Sequence, residues 1–511
     1  MAVKKLLIGI SILGLAGCAH LTDLSGKQEI PSGWTNKQVA VGDAAVQEKW
    51  WAQFNDPTLN VLIDKAVKQN YDLKIAETRI RAARAQLLSV EASYLPDVNA
   101  NASAERSRGS KSVHFGQYSG GTYSLYDTEL DSTWEVNIFG VGSATAAAEA
   151  TIAATYEDKY GVLLSLLGEV TTNYIELRRL QQNLILTDST IAAYQSSLKI
   201  ADIRQKAGLT TMLDTVRAQA ALQSAEAQRP QIATQINASI RRLEVLLGQN
   251  PDTLDSVLAA TGGIPASASP ILLATPAAVI ANRPDIREAE QTLRAQKETR
   301  TLATEEYLPS INLPMAFGWQ AQNNANLGTN NALIWALTGG ITVPVFDFGR
   351  IRADINLADA NAEQAYLNYQ KTVTGALSDV ETALSDYLAA VNAEPKLDDA
   401  VKSNQAAVDL SQERYKSGLI NQLDVLDAQR SLYTAQQAQL QNQADEASRL
   451  VTLYKAMGGG WHSFADVKPV IPAATVAAPI SAVPAIQPSA AAPAPNVKTE
   501  TMGDTAVTVI E

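Results

Sequence analysis

One turn motif occurs twice in this chain, each time between two long helical patterns. That repetition restricts the fold to an architecture built from two similar halves. The first copy reads Arg204-Gln205-Lys206-Ala207-Gly208-Leu209 and continues through Leu213, Asp214, Ala218 and Gln219. The second reads Arg414-Tyr415-Lys416-Ser417-Gly418-Leu419 and continues through Leu423, Asp424, Ala428 and Gln429. Glycine enters the left-handed backbone that ends a helix at little steric cost. The chain is therefore expected to reverse at Gly208 and again at Gly418, giving two helical hairpins.

The helices flanking these turns are long. Ser143 to Lys206 reads as one helix, about 95 Å in length at the usual rise per residue. Its return arm runs from Met212 to Leu247. In the second half, Arg350 to Lys416 turns at Gly418 and returns to Met457, with Pro395 expected to kink the first arm because proline lacks an amide donor. Such lengths exceed an ordinary globular domain and point to a coiled-coil assembly. Aromatic residues make up only 6% of the chain, which suits helices packed closely through small side chains.

Before each long helix the period changes from helical to alternating. After Tyr94-Leu95-Pro96, the residues Val98, Ala100, Ala102 and Ala104 alternate with Asn99, Asn101, Ser103 and Glu105. A second strand, from Thr122 to Val136, carries Leu130, Trp134 and Val136 on one face and Glu129, Asp131, Thr133 and Glu135 on the other. The second half repeats this after Tyr307-Leu308-Pro309. One strand there carries Ile311, Leu313, Met315, Phe317 and Trp319, and the next carries Leu333, Trp335, Leu337, Ile341 and Val343. Phe139-Gly140 and Phe348-Gly349 mark the exits.

The ends have their own signatures. Lys4-Lys5, an apolar run from Leu6 to Leu15 and Leu15-Ala16-Gly17-Cys18 read as a secretory signal over 1–17. The layout is then an extended N-terminal segment at 18–55 wrapping the outside of the body and a first repeat at 56–250. A linker at 251–281, a second repeat at 282–464 and a Pro/Ala-rich low-complexity tail at 465–511 complete it. Cys18 is the single cysteine, so neither an intrachain disulfide nor a cysteine metal cluster is available.

Apolar-faced strands of about ten residues suit a membrane span. Backbone groups facing lipid must all be paired, so the sheet has to close on itself. Four strands per chain are too few for a barrel, since about eight is the usual minimum, and copies must pool them: eight from a dimer or twelve from a trimer. Asn99, Asn101, Glu129 and Asp131 then face a water-filled lumen. The alternative is a soluble sheet edge with an attached coiled coil.

The order of helix, strand pair, long helix, turn and helix, in two copies, resembles the TolC-type outer-membrane factor family, in its lipid-anchored multidrug-efflux (NodT/OprM-like) branch. The resemblance is carried by Arg414 to Leu419, by Leu423-Asp424-Val425-Leu426-Asp427-Ala428-Gln429-Arg430-Ser431-Leu432 and by Leu453-Tyr454-Lys455-Ala456-Met457-Gly458-Gly459-Gly460-Trp461, and it covers about residues 18 to 464. It implies a mainly α chain with a transmembrane β portion. Three copies would form a twelve-stranded β-barrel continuous with a long periplasmic α-helical barrel. By the same resemblance Leu-Ala-Gly-Cys is a lipobox with Cys18 lipidated, and Ala19 after it favours the outer membrane. The implied partners are sister subunits in a homotrimer, a periplasmic adaptor protein, an inner-membrane RND-type transporter and outer-membrane lipids.

Asp424 and Asp427 are three apart and share a helix face. Three copies would set six carboxylates around one opening, where mutual repulsion raises the cost of ionising each. The resemblance assigns Asp424, Asp427, Asp214 and Tyr415 to the periplasmic gate, and Gly208, Leu209, Gly418 and Leu419 to adaptor-docking tips. Ile420 stands where relatives carry a polar or charged group, so one closing contact differs here. The formal charge of −12 without a basic run argues against nucleic acid. There is no Walker loop, His-Glu-x-x-His or Gly-x-Ser-x-Gly, and His20, His114 and His462 are scattered. No enzyme activity and no cofactor are expected. The expected function is a passive exit duct for small molecules in a tripartite efflux pump. The alternatives are the exit channel of a type I protein-secretion system and a structural coiled-coil lipoprotein without a pore.

Overall fold

The structure is a computed structural model that describes residues 30–35, 48–110, 112, 121–267, 271 and 273–465. The signal stretch, Cys18 and the tail beyond Ala465 lie outside the described residues. Helices α1 (Pro57–Gln69) and α2 (Tyr71–Ser93) lead into strands β1 (Asp97–Arg108) and β2 (Thr122–Val136). Helices α3 (Gly140–Lys206) and α4 (Met212–Leu246) form the first hairpin. Then come α5 (Asp255–Leu258), α6 (Pro276–Asn282), α7 (Pro284–Glu305) and strands β3 (Ser310–Ala321), β4 (Leu333–Leu337) and β5 (Gly340–Thr342). Helices α8 (Arg350–Lys416) and α9 (Gln422–Ala456) form the second hairpin.

The first arms are each 67 residues long and the return arms each 35. The hairpins therefore align without a gap. Pro230 and Pro395 lie inside α4 and α8, and helix runs on through both. Among the described residues no helix is long and apolar enough to cross a membrane.

All strands belong to one antiparallel sheet in the order β1-β2-β3-β4, with β5 also on β3. The β2–β3 ladder joins the two halves of the chain. The expected single fourth strand is broken into β4 and β5, and the cause is Pro314. Thr338 donates its amide to the Pro314 carbonyl at 3.0 Å, so Pro314 turns its peptide edge toward this strand. In an antiparallel ladder its amide would point the same way, and proline has none to donate. Pairing with β4 accordingly ends at Met315↔Leu337 and resumes with β5 at Asn312↔Gly340.

Register aligns Ala100, Leu130, Phe317 and Trp335 in one row across the sheet. Adjacent rows on the opposite face hold Asn99 with Asp131, and Asn101 with Glu129. There the Asn101 side-chain amide donates to Asp131, and Gln320 donates to Asp127 at 2.9 Å. The apolar row is open to its surroundings in a single protomer, with Trp335 at 74% exposure.

The main core lies where α1, the middle of α3, the ends of α4 and α9 and the N-terminal aromatics converge. Trp34, Trp50, Trp51 and Phe54 are all buried. These parts of the expected outer wrapping segment are therefore core, because rings of this size bury large apolar areas while still needing a partner for the indole N–H. Trp50 stacks on Tyr454 at 5.7 Å and donates to the Gly459 carbonyl at 3.2 Å. Trp34 donates to the Ala274 carbonyl at 2.8 Å. The expected linker is also partly helical, since α5 and α6 fall inside 251–281; Thr275 caps α6 by accepting from Ala278 at 3.2 Å. Buried Arg178, whose guanidinium also donates to the Tyr174 hydroxyl of its own helix at 2.9 Å, holds the linker down by donating to the Ala260 carbonyl at 2.5 Å. Tyr174 in turn donates to Asp56 at 2.7 Å. Burial, with the Asp56 hydrogen bond, pushes the Tyr174 phenol up to about 12.

Candidate functional site

The two hairpin turns lie side by side at one end of the helices. Gly208 and Gly418 take φ of +72° and +75°, backbone that costs a residue with a Cβ about 1 kcal/mol or more. In each, the amide of the following leucine bonds back over the turn: Leu209 to Arg204 and Leu419 to Arg414, both at 2.9 Å. The turn thus closes with the 6→1 hydrogen bond of a Schellman motif. Leu209 and Leu419 are left 66% and 74% exposed. An apolar residue often follows the glycine of such a motif and packs back on its own helix, but here both leucines stay largely open at the tips.

Tyr415 is buried between the hairpins. The Arg204 guanidinium lies 4.8 Å from its ring centre and donates to the carbonyls of Tyr415 and Lys416 at 2.9 and 3.1 Å. These carbonyls are among the last of α8, which a cation stabilises at the negative end of the helix. Burial, and then the Asp214 carboxylate, push the Tyr415 phenol above its ordinary value, with Arg204 opposing. Asp214 accepts from the Thr210 hydroxyl. Tyr415, Asp214, Thr210 and Arg204 thus form one cluster linking the turns.

Asp424 and Asp427 are placed differently. Asp424 closes a capping box: its amide donates to the Asn421 side chain at 3.1 Å and its carboxylate accepts from the Asn421 amide at 3.2 Å. The Asp427 carboxylate meets Arg430 at 3.3 Å with both side chains largely exposed. Such an exposed pair contributes at most about 1 kcal/mol. Sequence reasoning assigned no role to Arg204, Thr210, Asn421 or Arg430. Arg204 was visible in the repeat, as the counterpart of Arg414, but its partners could not be read there.

Further from the tip, Tyr194 of α3 packs with Leu426 of α9, and the Ser197 hydroxyl donates to Gln429 at 3.1 Å. The two hairpins are joined along this seam. Among the described residues no cluster of His, Cys, Asp and Glu is arranged to hold a metal ion.

The architecture and tip match known proteins. The sequence profile of the outer membrane efflux protein family fits residues 62–249 and 275–459. Pyoverdine export outer membrane protein OpmQ of Pseudomonas putida is 30% identical over 458 residues, spanning 88% of this chain and 96% of that protein. Toluene efflux pump outer membrane protein TtgI, also of Pseudomonas putida, is 30% identical over 475 residues, spanning 88% and 97%. The solved outer-membrane channel OprN superposes with a TM-score of 0.77 at 29% identity, over 85% of this chain and 98% of that one. A sheet with one lipid-compatible face, two gap-free helical hairpins and these matches over most of the length identify the chain as a member of the outer membrane efflux protein family, with the fold of a TolC-like outer-membrane channel.

Proposed function

We propose that three copies of this chain close a twelve-stranded barrel in the outer membrane, continuous with an α-helical barrel crossing the periplasm, and that the whole is the passive exit duct of a tripartite efflux pump. The observation that carries this reading is the sheet. Its apolar face, with Leu130, Phe317, Trp335 and Ile341, is exposed in the protomer, and among the described residues β1 and the β4/β5 line are free edges. In water such a face is a liability, and in lipid the open edges would each leave costly unpaired backbone groups. Sister copies supply the missing pairs. Strands of 12, 15 and 12 residues in β1, β2 and β3 are long enough to span a bilayer when tilted. The row of Asn99, Asn101, Glu129 and Asp131 then lines water. Phe346 and Phe348, their rings 4.6 Å apart where the chain leaves the sheet, supply an interfacial aromatic girdle.

In this assembly the tips meet a periplasmic adaptor through Leu209 and Leu419 beside Gly208 and Gly418. Asp424 and Asp427 line the closed periplasmic aperture, and Asp214, with Tyr415 buried between the hairpins, belongs to the network that holds it closed. An inner-membrane RND-type transporter supplies the energy, since a passive duct does no chemistry. Cys18 carries the lipid anchor. Relatives named for pyoverdine export and toluene efflux support small molecules as cargo.

The test is reconstitution. Purified full-length protein in detergent is expected to size as three copies and to give stable single-channel currents in a planar bilayer. A monodisperse single protomer without current would remove the reading, and a trimer without current would leave only a structural lipoprotein.

A further inference from the structure

We infer that Arg414 is the subunit-joining counterpart of Arg204, and that its guanidinium donates to the terminal α3 carbonyls, at Gln205 and Lys206, of a neighbouring copy of this chain. The inference rests on the three-copy ring proposed above and names a contact that closes it.

The gap-free match of the hairpins makes Arg414 the counterpart of Arg204, Gln205 that of Tyr415, and Lys206 that of Lys416. Within one protomer the hairpins join through α3 and α9, whereas α8 and α4 form no packed pair. On α9 this seam covers Gln422 and Leu426, both buried. Their counterparts on α4 are Met212 and Val216, and these are 69% and 51% exposed. The α4 face is thus a copy of the α9 face with its cover missing.

Arg414 repeats the pattern from the other side. It is exposed, and among the described residues of its own protomer its guanidinium has no hydrogen-bond or ion-pair partner, although that of its counterpart makes two hydrogen bonds. In a ring of alternating hairpins, α8 of one copy faces α4 of the next. That placement covers Met212 and Val216 and brings Arg414 to a helix C-terminus, where a cation is favoured and a planar fork suits adjacent carbonyls.

The two clasps are unequal. Arg204 also lies over the Tyr415 ring, but Gln205 gives Arg414 no ring. The between-copy clasp lacks the cation–π attraction, so the seams between copies part before the seam within each copy. The aperture opens as three paired hairpins.

The experiment uses the full chain carrying Arg414→Cys with Lys206→Cys, purified in detergent, sized and treated with a short bis-maleimide. Crosslinked dimers and trimers on a denaturing gel are expected. Either single cysteine alone should give none, and Arg204→Cys with Lys416→Cys should crosslink only within a monomer. A particle that sizes as a trimer but stays monomeric on the gel sinks the clasp and leaves the ring standing. One that sizes as a monomer sinks the ring itself, and crosslinks that need added adaptor assign this face to the adaptor and overturn the clasp. In planar bilayers Arg414→Ala is expected to raise conductance roughly threefold to tenfold. Gln205→Tyr, which restores a ring beneath Arg414, should lower conductance below wild type. Unchanged currents in both would also overturn the clasp.

Discussion

Arg204 and Tyr415 lie far apart in sequence, yet Arg204 donates to the Tyr415 carbonyl at 2.9 Å while its guanidinium rests 4.8 Å from the centre of the Tyr415 ring. One side chain therefore ends a helix, covers a buried ring and ties the first hairpin to the second. Replacing it removes all three effects. Arg204→Ala is expected to cost the tip about 2 kcal/mol. Backbone amides from Tyr415 to Leu419 should exchange hydrogen faster, and the channel should pass more current. Arg204→Lys keeps a cation at the helix end but loses the fork, so its effect should be intermediate. Equal exchange in all three proteins would show that the hairpins are held elsewhere.

Asp424 has a local task whether or not it gates. Its carboxylate closes the capping box with Asn421, and removing such a cap costs a helix about 1 kcal/mol. Asp424→Asn keeps an acceptor for the Asn421 amide and deletes the charge, whereas Asn421→Ala deletes the cap and keeps the charge. Block by divalent cations is expected to weaken in Asp424→Asn combined with Asp427→Asn, with hydrogen exchange at the start of α9 unchanged. Asn421→Ala should do the reverse. If block follows the cap rather than the charge, the aspartates are helix starters and not a cation filter.

The capping box went unread: Asp424 was assigned to an acidic ring with Asp427, and its pairing with Asn421 shows only in the fold. Long elements were legible because a helical period sustained over so many residues leaves no other local solution. Chain reversal at Gly208 and Gly418 followed from the special backbone that glycine permits. The break between β4 and β5 was not legible. Pro314 is plain in the sequence, but which neighbour loses a hydrogen bond depends on the register of β3 against both flanking strands. Trp34 and Trp50 were misplaced for a similar reason. An aromatic in a turn-rich segment shows that something must cover it, and only the tertiary fold brings Ala274 and Tyr454 to do so. The partners of Arg204 are equally invisible from its own helix.

Glu288 gives a pH dependence of known sign. Burial, then the carboxylates of Asp158, Asp285 and Glu157, push its carboxyl above the ordinary value. A carboxyl raised in the fold binds its proton more tightly there than in the unfolded chain. Its stabilising effect is therefore complete below the unfolded value and is lost as pH rises through the folded one. At neutral pH the ionised group is a burden on the fold. Glu288→Gln is expected to raise the melting temperature at pH 7 by about 2–4 °C. That gain should shrink as both proteins are acidified through the folded value, where the wild type regains its proton. A gain that grows on acidification would mean that Glu288 is held ionised by a partner in the assembled protein.

Gly318 sits where β2 and β3 join the two halves of the chain, opposite Glu129. A Cβ there would lie 2.3 Å from the Thr128 carbonyl oxygen and 2.5 Å from the Glu129 Cα, and backbone atoms of a paired strand cannot swing aside as a side chain can. Gly318→Ala must push the strands apart along the ladder that links the repeats, at about 3 kcal/mol or more. The helices do not depend on that ladder. Circular dichroism should therefore keep its helical signal while the proposed three-copy assembly is lost on sizing in detergent and bilayer currents disappear. Gly339→Ala is the matched control, because a Cβ at that break in the fourth strand meets only the Leu313 side chain, at an ordinary 3.5 Å. That variant should assemble and conduct. If both variants assemble alike, the β2–β3 seam does not govern closure of the barrel; if both fail, the sheet tolerates no added bulk and the close approach at Gly318 has no special role.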